Sequence, residues 1–361
     1  MSEPPVVVIE DDPIIRLLAV VLDPNTSAER HAAFARFVAQ DLPDFDTWCE
    51  GVRKSGGPLY PADVRLAHSQ EEFRAALPSA DAAIVESFQV GPDELALSDR
   101  LRAIQKYGTI ADNIDLQACL DRGVPVLTQR RRANVATAEL TIGLMLALAK
   151  KLHRVSGLIS VEQLTSAGYS PTTFDRRYTP NAGWARISGF RVLYESTLGI
   201  VGLGEIGREV SVRAAAFGMR VLYYQRHQLP EDEERRWQAE YAPLERLLEQ
   251  SDWVSIQLPL TSDTRSMLNA ERIGQMKPGA CLINTSRAEI VEREAVLEAL
   301  KSGRLGGFAL DPLYEEPGRA DDPMLAFENV VLTPHIAAQP RFNTLKDTEE
   351  IVVRLGRALA S

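Results

Sequence analysis

An arginine, a glutamate and a histidine late in the chain, with a glycine loop ahead of them, are the residues with chemistry to offer. Arg287 ends the run Asn284-Thr285-Ser286-Arg287, Glu316 precedes Pro317, and His335 follows Thr333-Pro334. A guanidinium fork binds a carboxylate and stabilises negative charge growing on a neighbouring carbonyl oxygen. An imidazole gives or takes a proton near neutral pH. A carboxylate bonded to that ring favours its charged form and fixes its orientation. Together the three groups suffice to hold a 2-oxo acid and move a proton to it. Taken singly, Arg287 is also compatible with a surface arginine at a strand end, and His335 with a buried structural histidine.

The glycine loop is Gly202-Leu203-Gly204-Glu205-Ile206-Gly207. It follows the apolar run Leu198 to Val201 and opens a helix expected over Glu205 to Phe217, with a second strand at Met219 to Tyr224. In that setting Gly202 permits a tight turn, Gly204 lets backbone approach a pyrophosphate, and Gly207 lets helix and strand pack closely. The diphosphate would lie on the first amides of the helix, Glu205 and Ile206 among them. A dinucleotide site is the reading, with a plain glycine turn as the alternative. The second strand ends in Gln225-Arg226-His227, without a carboxylate to bind a free ribose or repel a 2′-phosphate, and Arg226 could pair with one. This favours NADP, although Glu231 to Glu234 just beyond pull towards NAD.

These groups need a scaffold, and the chain is long enough for two medium α/β domains, with 361 residues, 45% of them apolar and 25% charged. Short strands at Val6 to Ile9, Ala82 to Glu86, Leu101 to Ile104 and Val124 to Leu127 alternate with helical stretches. The alternation resumes with strands at Asp252 to Leu258, Ala280 to Asn284, Gly307 to Leu310 and Val330 to Thr333. Such alternation means parallel sheets with helices on both faces. The halves meet at a polar join over residues 160–190, and residues 24–60 read as an insertion or an elaborated first helix around Ala28 to Gln40. Leu140 to Ala149 is about half the ~20 residues needed to cross a bilayer, and reads as a helix buried all round.

A net charge of −10 argues against nucleic acid as a partner. Three scattered cysteines, Cys49, Cys119 and Cys281, indicate neither a disulfide framework nor a metal site and suit a reducing, cytoplasmic setting. The N-terminal residues have no signal-peptide pattern.

The sequence resembles the D-isomer-specific 2-hydroxyacid dehydrogenases, a family that includes glyoxylate/hydroxypyruvate reductases and phosphoglycerate dehydrogenases. The matching stretches include Asp112-Asn113-Ile114-Asp115, Ala138-Glu139-Leu140, Leu258-Pro259-Leu260-Thr261, Met276-Lys277-Pro278-Gly279, Gly307-Phe308-Ala309-Leu310-Asp311 and Thr333-Pro334-His335-Ile336. They begin near residue 100. The resemblance implies two Rossmann-like or flavodoxin-like domains, with the active site in the cleft between them. Residues 1–129 plus 335–361 are the expected substrate domain, and 130–334 the expected dinucleotide domain. Arg287 becomes the substrate arginine, His335 the acid/base and Glu316 its carboxylate partner, with Glu315 as the alternative. Cofactor contacts are expected at Leu258, Pro259, Thr264, Thr285 and Asp311, with Asp311 supporting the site electrostatically or else simply ending a strand. A homodimer, with the 139–152 helix at the contact, is implied as well.

Three departures stand out. Ile110 replaces the second glycine of the substrate loop Gly108-Thr109-Ile110-Ala111, where Thr109 and Ile110 would meet the substrate, and a branched side chain restricts that loop. Ala288-Glu289 follow the arginine where a glycine is usual. Arg130 to Arg132 stand where a neutral turn is common, either as a solvated basic turn or as a reader of a second acidic group. The activity implied is NAD(P)-dependent reduction of a 2-oxo acid to a D-2-hydroxy acid, or its reverse. A dinucleotide-sensing, corepressor-like protein is the alternative, while Glu316 and Thr109 disfavour the formate and phosphite branches.

Overall fold

The computed structural model describes residues 3–360. The chain divides into two compact units, one running to Ala136 and taking in the residues from Ala338 onward, the other Thr137–Ala337.

In the first unit, β1 (Val6–Glu10), β2 (Asp63–Ala67), β3 (Ala82–Val85), β4 (Ala103–Lys106) and β5 (Val126–Leu127) form a parallel sheet in the order β2-β1-β3-β4-β5. Alternate side chains serve opposite faces. Val7, Ile9 and Ile84 join one apolar cluster, while Val8, Ala83 and Val85 join another. With both faces covered, the central strands read as continuous apolar runs rather than alternating ones. The edge strand β2 does alternate, with Asp63 and Arg65 set among apolar neighbours, and the sequence reading passed over it.

Residues 24–60 contribute helices at Ala28–Val38 and Phe45–Ser55, started by the side chains of Ser27 and Asp44. The second is no loose insertion. Phe45, Cys49 and Val52 bury against Leu345, Val352, Leu355 and Leu359 of the C-terminal helix Phe342–Ala360. The Trp48 indole N–H donates to Glu349 at 2.6 Å. Gly356 permits this close packing, since a Cβ there would lie 2.1 Å from the Gly56 carbonyl oxygen.

In the second unit, β6 (Thr197–Val201), β7 (Arg220–Tyr224), β8 (Glu240–Tyr241), β9 (Trp253–Ile256), β10 (Ala280–Asn284), β11 (Leu305–Leu310) and β12 (Val330–Leu332) form a parallel sheet ordered β12-β11-β10-β9-β6-β7-β8. Strand order reverses between β6 and β9, and in such sheets the crevice beyond the strand ends at the reversal takes the ligand. The polar stretch 160–190 lies inside this unit, so it is not a join between domains. The helix at Arg132–Ala149 starts well before its apolar run. It is not buried all round: Glu139 and Gly143 are exposed and Leu140 and Leu146 half-buried. No helix among the described residues is long and apolar enough to cross a membrane.

Candidate active site

The glycine loop joins β6 to the helix Glu205–Ala216. Gly202 has φ +103°, a left-handed backbone, and a Cβ there would lie 2.4 Å from the Gln257 carbonyl oxygen. A Cβ on Gly207 would lie 2.2 Å from the Gly202 carbonyl oxygen. The fold itself therefore demands these two glycines. Gly204 is different: it is exposed, and nothing stands within 4 Å of where its Cβ would be. The missing side chain leaves open space at a helix N-terminus, which fits the close approach of a pyrophosphate.

At the end of β7, Gln225 is half-buried and donates from Nε2 to the His227 carbonyl at 2.8 Å, while Arg226 and His227 are exposed. The acidic run beyond is largely engaged elsewhere. Glu231 pairs with Arg235 at 2.7 Å, and Glu234 accepts from the Tyr223 hydroxyl at 2.8 Å. Glu233 accepts from the Trp237 indole at 2.8 Å, and that bond, with help from Arg236 and Arg208, holds its carboxyl below the usual range.

Arg287, Glu316 and His335 all belong to the second unit. The His335 ring nitrogen Nδ1 lies 3.0 Å from both carboxylate oxygens of Glu316. Leu313 N–H donates to Glu316 Oε1 at 3.0 Å, fixing the carboxylate from behind. The bond to His335 is the largest cause holding the Glu316 carboxyl below its ordinary value, and the Arg287 charge adds to it. Glu315 is exposed and its charge acts on Arg319 instead. With Nδ1 engaged, Nε2 is the nitrogen left to exchange a proton with a substrate.

Behind the histidine stands Asp311, fully buried at the end of β11. Its carboxylate accepts from the Thr333 hydroxyl at 2.6 Å and from the backbone amides of Ile336 and Ala337 at 2.8 and 2.9 Å. Its carbonyl accepts from His335 N–H at 3.0 Å. His335 itself sits at φ +54°, a conformation uncommon for a residue with a side chain. The Asp311 bonds hold it there.

The model of the D-isomer specific 2-hydroxyacid dehydrogenase NAD-binding domain matches residues 142–337. The chain belongs to that family. It is 38% identical to a glyoxylate reductase of Korarchaeum cryptofilum over 66% of this chain and 67% of that one. A D-3-phosphoglycerate dehydrogenase of Methanocaldococcus jannaschii is 32% identical over 76% of this chain, which covers 49% of the longer relative. Among solved structures, a D-lactate dehydrogenase from Aquifex aeolicus complexed with NAD and lactic acid is similar at TM-score 0.51 and 25% identity, covering 98% of this chain and 95% of that one.

Other residues singled out in this 2-hydroxyacid dehydrogenase sequence fall less simply. Leu258 and Pro259 lie just past β9, at the strand-order reversal, and Thr264 braces their loop by donating to the Pro259 carbonyl at 2.7 Å. The Thr285 hydroxyl is buried against Thr141 and Gln257, at 2.8 and 3.0 Å. Thr109 and Ile110 lie in the first unit beyond β4, after Gly108 at φ +138°. Of the three arginines, Arg132 is no solvated turn residue: it pairs with buried Asp347 at 2.7 Å and with Glu350 at 3.0 Å. Arg131 lies over the Tyr107 ring and reaches Glu86 at 3.4 Å. Sequence reading missed Thr141, Gln257 and Asp347. The first two had a signal, being polar residues within or at the end of otherwise apolar runs.

Proposed function

We propose that this chain reduces a 2-oxo acid to a D-2-hydroxy acid, with His335 as the proton donor and NADPH as the favoured cofactor. The observation that carries the reading is the His335–Glu316 pair on a turn clamped by Asp311, with the Arg287 charge close enough to act on Glu316. Family membership and the relatives named glyoxylate reductase and D-3-phosphoglycerate dehydrogenase agree with it.

A reduced nicotinamide supplies a hydride when bound. Gly202, Gly204 and Gly207, with the amides of Glu205 and Ile206, would hold its diphosphate, while Gln225 and Arg226 would meet the adenosine ribose and its 2′-phosphate. Leu258, Pro259 and Thr264 shape the loop beside it, and Asp311 has about one of its roughly four acceptor sites left for a cofactor amide. Arg287 binds the substrate carboxylate and draws charge towards the carbonyl oxygen. His335 delivers the proton from Nε2 to that oxygen, and Glu316 stabilises the ring while it carries the proton. In the oxidation direction the same nitrogen takes the proton back. A homodimer suits the exposed apolar side chains Ile159, Val161, Phe190, Val192 and Tyr194 of the second unit.

The test is initial rates of NADPH and NADH oxidation with glyoxylate, hydroxypyruvate, pyruvate and bulkier 2-oxo acids. His335→Ala serves as control and should lose about 10²–10⁴ in rate while binding dinucleotide as before. Tight dinucleotide binding without turnover of any acid would contradict the reading and point to a sensor.

A further inference from the structure

The loop that carries Arg287 rests on a buried row of polar side chains. Thr141, fully buried on the 132–149 helix, donates from its hydroxyl to the Thr137 carbonyl at 2.8 Å. Its oxygen meets the Thr285 hydroxyl at 2.8 Å. Because the Thr141 proton is spent on Thr137, Thr285 is the donor between them. The Thr285 oxygen then accepts from Gln257 Nε2 at 3.0 Å, and the same amide reaches the Ser255 hydroxyl at 2.9 Å. The chain of donors runs one way, from the end of β9 through the loop to the helix.

That row is a poor choice for stability alone. The side-chain oxygen of Gln257 is sealed from solvent and has no hydrogen-bond donor among the described residues. An orphaned buried acceptor is costly, and a methionine at 257 with a valine at 141 would fill the same space without one. What the row does achieve is position. Asn284 accepts from Ser286 N–H at 3.0 Å and donates to the Arg287 carbonyl at 2.8 Å, and the Ser286 hydroxyl donates to the Ile256 carbonyl at 2.8 Å. Thr285 is the member of this run tied to the 132–149 helix. Without that tie the loop would hang from β9 and β10 only.

We propose that Thr141, Thr285 and Gln257 are positioning residues for Arg287, fixing through the Asn284–Arg287 loop where its guanidinium meets the substrate carboxylate. This rests on the proposed reduction of a 2-oxo acid. The Thr285 hydroxyl, expected from the sequence to serve the cofactor, then serves the substrate through the loop.

The experiment compares wild type with Thr141→Val, Thr141→Ser and Gln257→Met. It measures KM and kcat for the best 2-oxo acid, the inhibition constant of oxalate, the dissociation constant of NADPH and the melting temperature. Thr141→Val and Gln257→Met should each raise KM and the oxalate constant about tenfold, the scale of a lost hydrogen bond that sets a binding geometry. NADPH binding should stay within about twofold, because the glycine loop is untouched. Thr141→Ser keeps the hydroxyl and should restore KM.

A fall in melting temperature with unchanged KM in both variants would make the row purely structural and overturn the proposal. Equal weakening of NADPH binding would assign it to the cofactor and overturn it too. Should Thr141→Val fail to fold, Gln257→Met carries the test, since Gln257 is only partly buried. Wild-type turnover with unaltered variants would sink this inference alone, whereas a wild type that neither turns over any 2-oxo acid nor binds oxalate would sink the underlying function as well.

Discussion

The Asp311 carboxylate holds the backbone that carries His335, not its ring. Ring and carboxylate chemistry belong to Glu316, 3.0 Å from Nδ1, whereas Asp311 ties down the Thr333 hydroxyl and the amides of Ile336 and Ala337 on either side of the histidine. A left-handed residue with a side chain persists only where its surroundings over-determine it, and here they do. Asp311→Asn replaces one acceptor with a donor that would face the Ala337 or Ile336 amide. The turn should relax and the imidazole should move with it. We expect kcat to fall about 10- to 100-fold, since small displacements of a reacting group have costs on that scale. An unchanged kcat would show that the turn holds without the carboxylate.

Acid should weaken the Glu316–His335 pair with a definite sign. The folded-state carboxyl of Glu316 lies below its ordinary value of 4.5, chiefly because of its bond to His335. Its contribution is therefore fully present above that value and is lost as pH falls through the lower, folded one. The side chain is 42% exposed, so solvent screening limits the effect to under about 1 kcal/mol. Stability of wild type over Glu316→Gln should shrink as pH falls from about 5.5 to below about 4. Denaturant melts across that range would show it, and a gap that widened in acid would reverse the assignment.

How much of this was written in the sequence differs from element to element. Gly202, Gly204 and Gly207 were legible because their spacing, strand and helix are all local. Glu316 and His335 were legible as types, and three dimensions added which glutamate faces the ring. Asp311 was not legible as a clamp, because its partners come 22 to 26 residues later. The same distance problem hid Asp347, whose arginine partner lies 215 residues earlier. The 342–360 helix escaped for another reason. Its core positions Leu345, Ile351, Val352, Leu355 and Leu359 do recur at helical spacing, but they sit among charged residues whose exposed face dilutes the signal.

Cofactor choice should turn on Gln225. Glu231 is paired with Arg235, and Glu233 and Glu234 are bonded to Trp237 and Tyr223, so none of these three carboxylates is bonded to Arg226 among the described residues. A carboxylate at the strand end would bind ribose hydroxyls and repel the phosphate. Gln225→Asp should therefore shift the NADPH-to-NADH ratio of kcat/KM about tenfold or more towards NADH, and Arg226→Ala should move it the same way. If neither ratio moves, the cofactor ribose does not meet this strand end.

Arg132 should matter for stability more than for catalysis. Its backbone amide and guanidinium both donate to Asp347, which is 1% exposed, at 2.9 and 2.7 Å. Burial pushes the Asp347 carboxyl above its ordinary 3.8 even with the arginine bonds pulling it down. A carboxyl raised in the folded state favours its protonated form, so stability falls as pH rises from 3.8 through the folded value. Arg132→Met removes the compensating charge, raises that value further and leaves a buried ion at neutral pH. We expect a loss of about 3 kcal/mol at pH 8, shrinking towards pH 5 as Asp347 takes up a proton. Adding Asp347→Asn to Arg132→Met should recover most of it, because the uncompensated charge is gone. Urea melts of the single and double variants at both pH values decide the matter. A loss that is the same at pH 5 and pH 8 would mean the arginine acts through packing of its stem and not through its charge.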